Sequence, residues 1–142
     1  MKRDERTIKA SDIAEGFELF PELESADGIV SEGKTVIIKH DYYSSDSDHG
    51  RDLLHSFIRA LSQTKISALI LIDSGVRLLS SDDEATVFFL RRACEYRIVT
   101  ACSSSISEYG IDLTDDYKDI FLLDNDEIAE TILSSRDAVI IE

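Results

Sequence analysis

A chain of 142 residues is long enough to bury the core of one domain, and a hydrophobic content of 43% is ordinary for a globular protein. With 15 basic against 29 acidic residues the net charge is -14, a balance that repels a phosphate backbone and an anionic membrane surface. Nucleic acid and membrane are therefore not expected partners, whereas a basic protein is compatible.

The stretch MKRDERTIKASDIAEG lacks the apolar run of a signal peptide, and Ala68–Ile72 is too short to span a bilayer. Two cysteines, Cys94 and Cys102, make no disulfide framework, so a reducing, cytoplasmic setting is expected. Residues 1–33 read as a partly helical N-terminal extension. In it Phe17, Leu19, Phe20 and Leu23 are available to dock on the core or on another subunit. The α/β domain is expected over 34–142.

From Lys34 the pattern sharpens. Thr35–Ile38 is β-branched and continuous, as in a strand covered on both faces. A polar loop follows from His40 to His49. Leu53, Leu54, Phe57, Ile58 and Leu61 then form the stripe of an amphipathic helix over Gly50–Leu61. Ala68–Ile72 is a second buried strand, followed by a loop from Asp73 to Ser80. Ser81 with Glu84 has capping-box spacing and opens a helix to Glu95, with Arg91 and Arg92 placed to meet its negative end. Arg97–Ala101 is a third strand, followed by a Ser-rich turn and a short helix closing at Gly110. Ile120–Leu123 is a fourth strand. Asp124–Glu127 caps a helix bearing Ile128, Ile132 and Leu133, and Ala138–Ile141 is a fifth strand. This alternation predicts a three-layer α/β fold with a mostly parallel five-stranded sheet and helices on both faces.

Ligands of such folds gather beyond the carboxyl ends of the strands. Cys102 stands at one of these ends, where a following helix start favours a thiolate, the nucleophilic form; the competing reading is a small apolar filler. Cys94 lies near the apolar stripe of its helix and reads as a packed residue. His40, His49 and His55 show no metal spacing, and no metal or cofactor is expected. His40 and His49, in the first loop, are either pocket-forming or solvated. Asp41 and Asp73 fall at strand ends like receiver-domain carboxylates, yet no lysine follows Lys118. GxGxxG, P-loop and GxSxG sequences are all missing, which leaves nucleotide binding in those modes and serine hydrolysis unsupported.

Four segments carry a resemblance. Gly50–Leu61 resembles the first helix, and Ile72-Asp-Ser-Gly-Val-Arg-Leu-Leu79 the strand and loop, of the DsrE-like domain in YedF-type selenium-metabolism proteins. Thr100-Ala-Cys-Ser-Ser-Ser-Ile-Ser-Glu-Tyr-Gly110 is similar to that family's S-C-G-T-C-L-x-x-Y-G segment, and Asp124–Ile128 to its N-M-Y-E-I helix start. The resemblance implies a sulfur-relay protein, sulfurtransferase-like if active, in which Cys102 holds a persulfide. Ser103, Ser104 and Ser105 would bind the sulfur, Ser74, Gly75 and Val76 would wall the pocket, and Arg77 would offset the acidic field. It also implies a sulfur donor or acceptor protein as partner and a homo-oligomer, dimer or trimer. The family's second cysteine is Ser105 here, and its glycine after the first cysteine is Ser103. Those departures keep open a non-catalytic module that retained the scaffold to bind a small ligand or a protein.

Overall fold

The first described element is a strand because its residues are β-branched and apolar on both sides. β1 (Lys34–Ile38) alternates Val36 and Ile38 to one face and Ile37 to the other, and all three are buried. The computed structural model of the chain describes residues 33–142. The expected extension, with Phe17, Leu19, Phe20 and Leu23, lies outside them apart from Gly33.

α1 (Asp48–Leu61) starts two residues earlier than expected, because the Ser47 hydroxyl accepts from the Gly50 N–H and caps the helix there. Gly50 packs against the Ser45 carbonyl so closely that a Cβ has no room. Leu54, Ile58 and Leu61, at helical spacing, are the buried stripe. β2 (Ile66–Leu71) follows. The expected loop Asp73–Ser80 is a 3-10 helix of 8 residues that buries Ser74, Gly75, Val76, Leu78 and Leu79. Gly75 fits under the Ile38 carbonyl only because it lacks a side chain.

α2 (Glu84–Tyr96) is capped by Asp83 rather than Ser81. The Asp83 carboxylate accepts from the Thr86 N–H at 3.0 Å and the Thr86 hydroxyl at 2.8 Å, while Ser81 accepts from the Asp83 N–H. The two bonds from Thr86 hold the Asp83 carboxyl below the usual range. α2 also runs to Tyr96, so Arg91 and Arg92 stand outside its last turn. Arg91 pairs with Asp116 and Arg92 lies over Phe88 and Tyr96 instead.

β3 (Ile98–Cys102) leads into α3 (Ser103–Glu108), a turn at Asp115–Tyr117 and β4 (Phe121–Leu123). α4 (Asn125–Ser134) carries the expected capping box from Asp124 and Glu127, and β5 (Ala138–Ile141) ends the chain as expected. Ile128 faces inward, but Leu133 is 86% exposed and leaves the stripe.

The five strands are parallel in the order β4-β3-β2-β1-β5. Because strand side chains alternate, the register sorts the core into two layers. Val36, Ile38, Leu69, Leu71, Val99 and Ala101 face α1 and α2. Ile37, Ile70 and Cys102 face α4 through Ile128, with Ile72, Leu123 and Ile132 at the margin. The second layer is thin, and Cys102 belongs to it. Among the described residues no helix is long and apolar enough to cross a membrane.

Candidate functional site

β3 delivers Cys102 to the carboxyl edge of the sheet, where it is the last strand residue and the N-cap of α3. Its side chain is 6% exposed, roofed by the start of α4. The sulfur lies 3.1 Å from the Ser104 hydroxyl and 3.5 Å from the Asn125 side-chain oxygen. Ser104 in turn donates to that same oxygen at 2.6 Å. Burial alone pushes the thiol up, but the hydroxyls and backbone N–H groups of Ser104 and Ser105 outweigh it, leaving the pKa below its ordinary value. The Asn125 amide oxygen accepts from Ser104 and from a thiol; turned over beside a thiolate, the amide presents N–H groups to the sulfur and to the Ser104 oxygen, which frees the Ser104 proton to donate to the sulfur.

The neighbouring wall is the 3-10 helix after β2. The Asp73 N–H donates to the Ser105 hydroxyl at 2.9 Å, which fastens that wall to the cysteine turn. Asp73 adopts a left-handed backbone (φ 48), a conformation Asp tolerates better than most side chains. The Tyr109 hydroxyl donates to its carboxylate at 2.8 Å, which raises the Tyr109 pKa. On the far side His40 Nδ1 lies 3.1 Å from the Ser74 hydroxyl and 3.8 Å from Asp73, and the ring stacks on Tyr42 at 4.7 Å. His40 is thus held by the wall rather than loose in a solvated loop.

The expected residues fall into distinct places. Ser104 lies 3.1 Å from the sulfur, and Ser105 beside it helps to lower the thiol pKa. Ser103 opens α3, half-buried. Ser74 is buried and engaged by His40 and the Asp41 N–H. Val76 is fully buried in the main core, so only its backbone can face a ligand. Arg77 lies 3.6 Å from Asp41 and 5.9 Å from the Tyr109 ring centre, so its charge is engaged away from the sulfur. Asn125 and Tyr109 were not singled out by the sequence, although both sit in segments that carried the family likeness. Cys94, half-buried on α2, is pushed up to about 11 by burial and the Asp119 charge, as suits a packed thiol. Among the described residues no group of His, Cys, Asp and Glu can hold a metal ion.

In overall geometry the chain superimposes on the crystal structure of the YchN protein from E. coli, with a TM-score of 0.50, 17% identity, and coverage of 78% of this chain and 100% of that one. The fold is DsrE-like. A protein of unknown function from Bacteroides thetaiotaomicron, BT1422, aligns at a TM-score of 0.47 and 14% identity, over 77% of this chain and 95% of its own. No family model and no curated protein matches the sequence.

Proposed function

We propose that the protein is a DsrE-like sulfur carrier in which Cys102 accepts a terminal sulfur. The observation that carries this reading is the hydroxyl and N–H set of Ser104 and Ser105 around a thiol whose pKa is lowered despite burial. In the step itself the Cys102 thiolate attacks the outer sulfur of a donor persulfide R–S–SH. The donor S–S bond breaks, R–S⁻ leaves and takes up a proton, and Cys102 becomes Cys102–S–SH. No external oxidant or reductant is needed, since one S–S bond replaces another. The donors that stabilise the thiolate also stabilise the terminal persulfide anion. A cytoplasmic setting, a donor or acceptor protein and self-association belong to the same proposal, as does kinship with the YedF-type selenium-metabolism domain.

One observation favours a second reading. Cys102 is only 6% exposed, and Asn125 and Ser104 close over it. A donor must displace that roof, whereas a non-catalytic binding module needs no such opening. The deciding experiment incubates the full chain with a persulfide donor and reads the mass of the Cys102 peptide, with Cys102→Ser and Cys94→Ala beside it. The carrier reading expects one added sulfur in wild type and Cys94→Ala and none in Cys102→Ser. Equal loading of Cys102→Ser, or none anywhere, overturns it and leaves the binding module.

A further inference from the structure

Away from the cysteine, a cleft of about 80 Å³ opens between the end of α1 and the outer side of α2. Its floor is apolar: Leu61, Ile66 and Phe89. Its rim is aromatic and cationic. Phe88 (58% exposed) and Tyr96 (47%) flank Arg92, whose guanidinium carbon lies 5.7 and 5.5 Å from their ring centres, and Arg97 stands beside Tyr96. Small-molecule sites run to roughly 300–1,000 Å³, so this cleft takes a side chain rather than a metabolite. Exposed aromatics around an arginine are the composition of a protein-binding surface.

The charges narrow the occupant. Arg51, Arg77 and Arg91 each lie against an aspartate, while among the described residues neither Arg92 nor Arg97 has a carboxylate partner. Arg97 donates to the Tyr96 carbonyl at 2.9 Å and Arg92 lies over the two rings, so in a chain of net charge -14 the pair keeps a positive charge that no described carboxylate offsets and that suits an acidic, apolar segment. Ile13–Asp27 has that composition: Phe17, Leu19, Phe20 and Leu23 among Glu15, Glu18, Glu22, Glu24 and Asp27, with no Lys or Arg.

We propose that this cleft docks the chain's own Ile13–Asp27 segment, apolar side chains against Phe88 and Tyr96 and carboxylates on Arg92 and Arg97. The tether is favourably placed. The chain joins the sheet at Lys34, whose N–H donates to the Lys65 carbonyl at 3.3 Å, and Lys65 adjoins Ile66 in the cleft floor. The ten residues from Leu23 to Gly33 reach up to about 33–36 Å when extended. The rise along α2 from Phe88 to Tyr96 is only about 12 Å. A tether this short gives an effective concentration on the order of millimolar, so the linked segment outcompetes a second copy at micromolar protein.

The test is hydrogen exchange by mass spectrometry on the full chain, following peptides within residues 13–27 at two protein concentrations. Wild type, Arg92→Glu and Phe88→Ser are compared, with the amides of β1 and β2 as the folding control. Docking predicts amides in 13–27 that exchange at least tenfold more slowly in wild type than in either variant, independent of concentration and weaker in high salt. Exchange in wild type at the rate of an unstructured peptide overturns the proposal. So does protection that both variants retain. Protection lost on dilution assigns the cleft to a second copy and also overturns it. None of these outcomes touches Cys102.

Discussion

Replacing Ser104 by alanine removes one hydroxyl from the cysteine site and nothing from the core, since Ser104 is exposed on the first turn of α3. In wild type that hydroxyl lies 3.1 Å from the sulfur and is among the groups that hold the thiol below its ordinary value. A hydrogen bond to a charged acceptor contributes about 1.5–3 kcal/mol, and an exposed donor belongs at the low end of that range. Each 1.4 kcal/mol or so is tenfold in an equilibrium. Ser104→Ala should therefore lower the thiolate fraction of Cys102 roughly tenfold at pH values below the wild-type midpoint. The assay is the pH dependence of Cys102 alkylation in a Cys94→Ala background, each profile scaled to its own alkaline plateau. That scaling matters because a 6% exposed sulfur has an access barrier that affects the plateau rate. Ser107→Ala, on the same helix, is the control and should leave the profile unmoved. A profile that stays put in Ser104→Ala, or moves toward acid, refutes the idea that the serine hydroxyl stabilises the thiolate.

Two further predictions concern stability. Cys94 is pushed up to about 11 mainly by burial, so the folded state keeps its proton where an unfolded thiol loses it. Its contribution is complete below the unfolded value of about 8.5 and is lost as pH rises toward 11, so wild type should lose more stability than Cys94→Ala between roughly pH 9 and 11 in urea titrations; parallel losses would contradict this. Asp83→Ala removes the cap of α2 and strands the fully buried Thr86 hydroxyl, a loss of about 2–3 kcal/mol at neutral pH. Because the Asp83 carboxyl is held low, its contribution is present above about pH 4 and fades as pH falls further. The gap between wild type and Asp83→Ala should accordingly narrow in acid, and a gap constant from neutral pH to about pH 3 would rule out the carboxylate as its source.

The sheet was legible because its strands are apolar on both faces and separated by polar turns, a pattern with few competing readings. Ala138–Ile141 is the same span in pattern and in structure, and Thr35–Ile38 lacks only Lys34 of β1. Pattern and structure diverge where several polar residues compete for one local role. Ser81, Asp82 and Asp83 all precede α2, and Asp83 takes the cap because only it reaches both donors of Thr86. Asp73–Ser80 has the Asp-Ser-Gly start of a loop. Its Val76, Leu78 and Leu79 are nevertheless drawn into the core, and the backbone closes into 3-10 turns beneath them. At the site, position along the chain was enough to nominate Cys102, since a strand end is visible in sequence. Asn125 comes from a different strand–helix junction, 23 residues on, and only the pairing of Cys102 with Leu123 brings that junction alongside. Contacts set by strand order leave no local mark in the sequence.

Strand order also limits what Cys102 can do within one chain. The sequence has two cysteines, and the fold places them in different layers: Cys94 rides on α2, while alternation along β3 turns Cys102 to the opposite face of the sheet. Cys94 packs with the core under α1 and α2, whereas Cys102 lies under α4 on the opposite face. The sheet stands between the two sulfurs, so an intramolecular disulfide would require the fold to come apart. Ser105 occupies the place where a resolving thiol would be useful, yet its hydroxyl can donate a hydrogen bond but not accept a sulfur atom. It also accepts from the Asp73 N–H, so it serves as a structural fastener between the two walls of the site. On the proposed reading, sulfur held at Cys102 would pass to a thiol other than Cys94, so transfer between these two cysteines is closed while carriage to a partner thiol stays open.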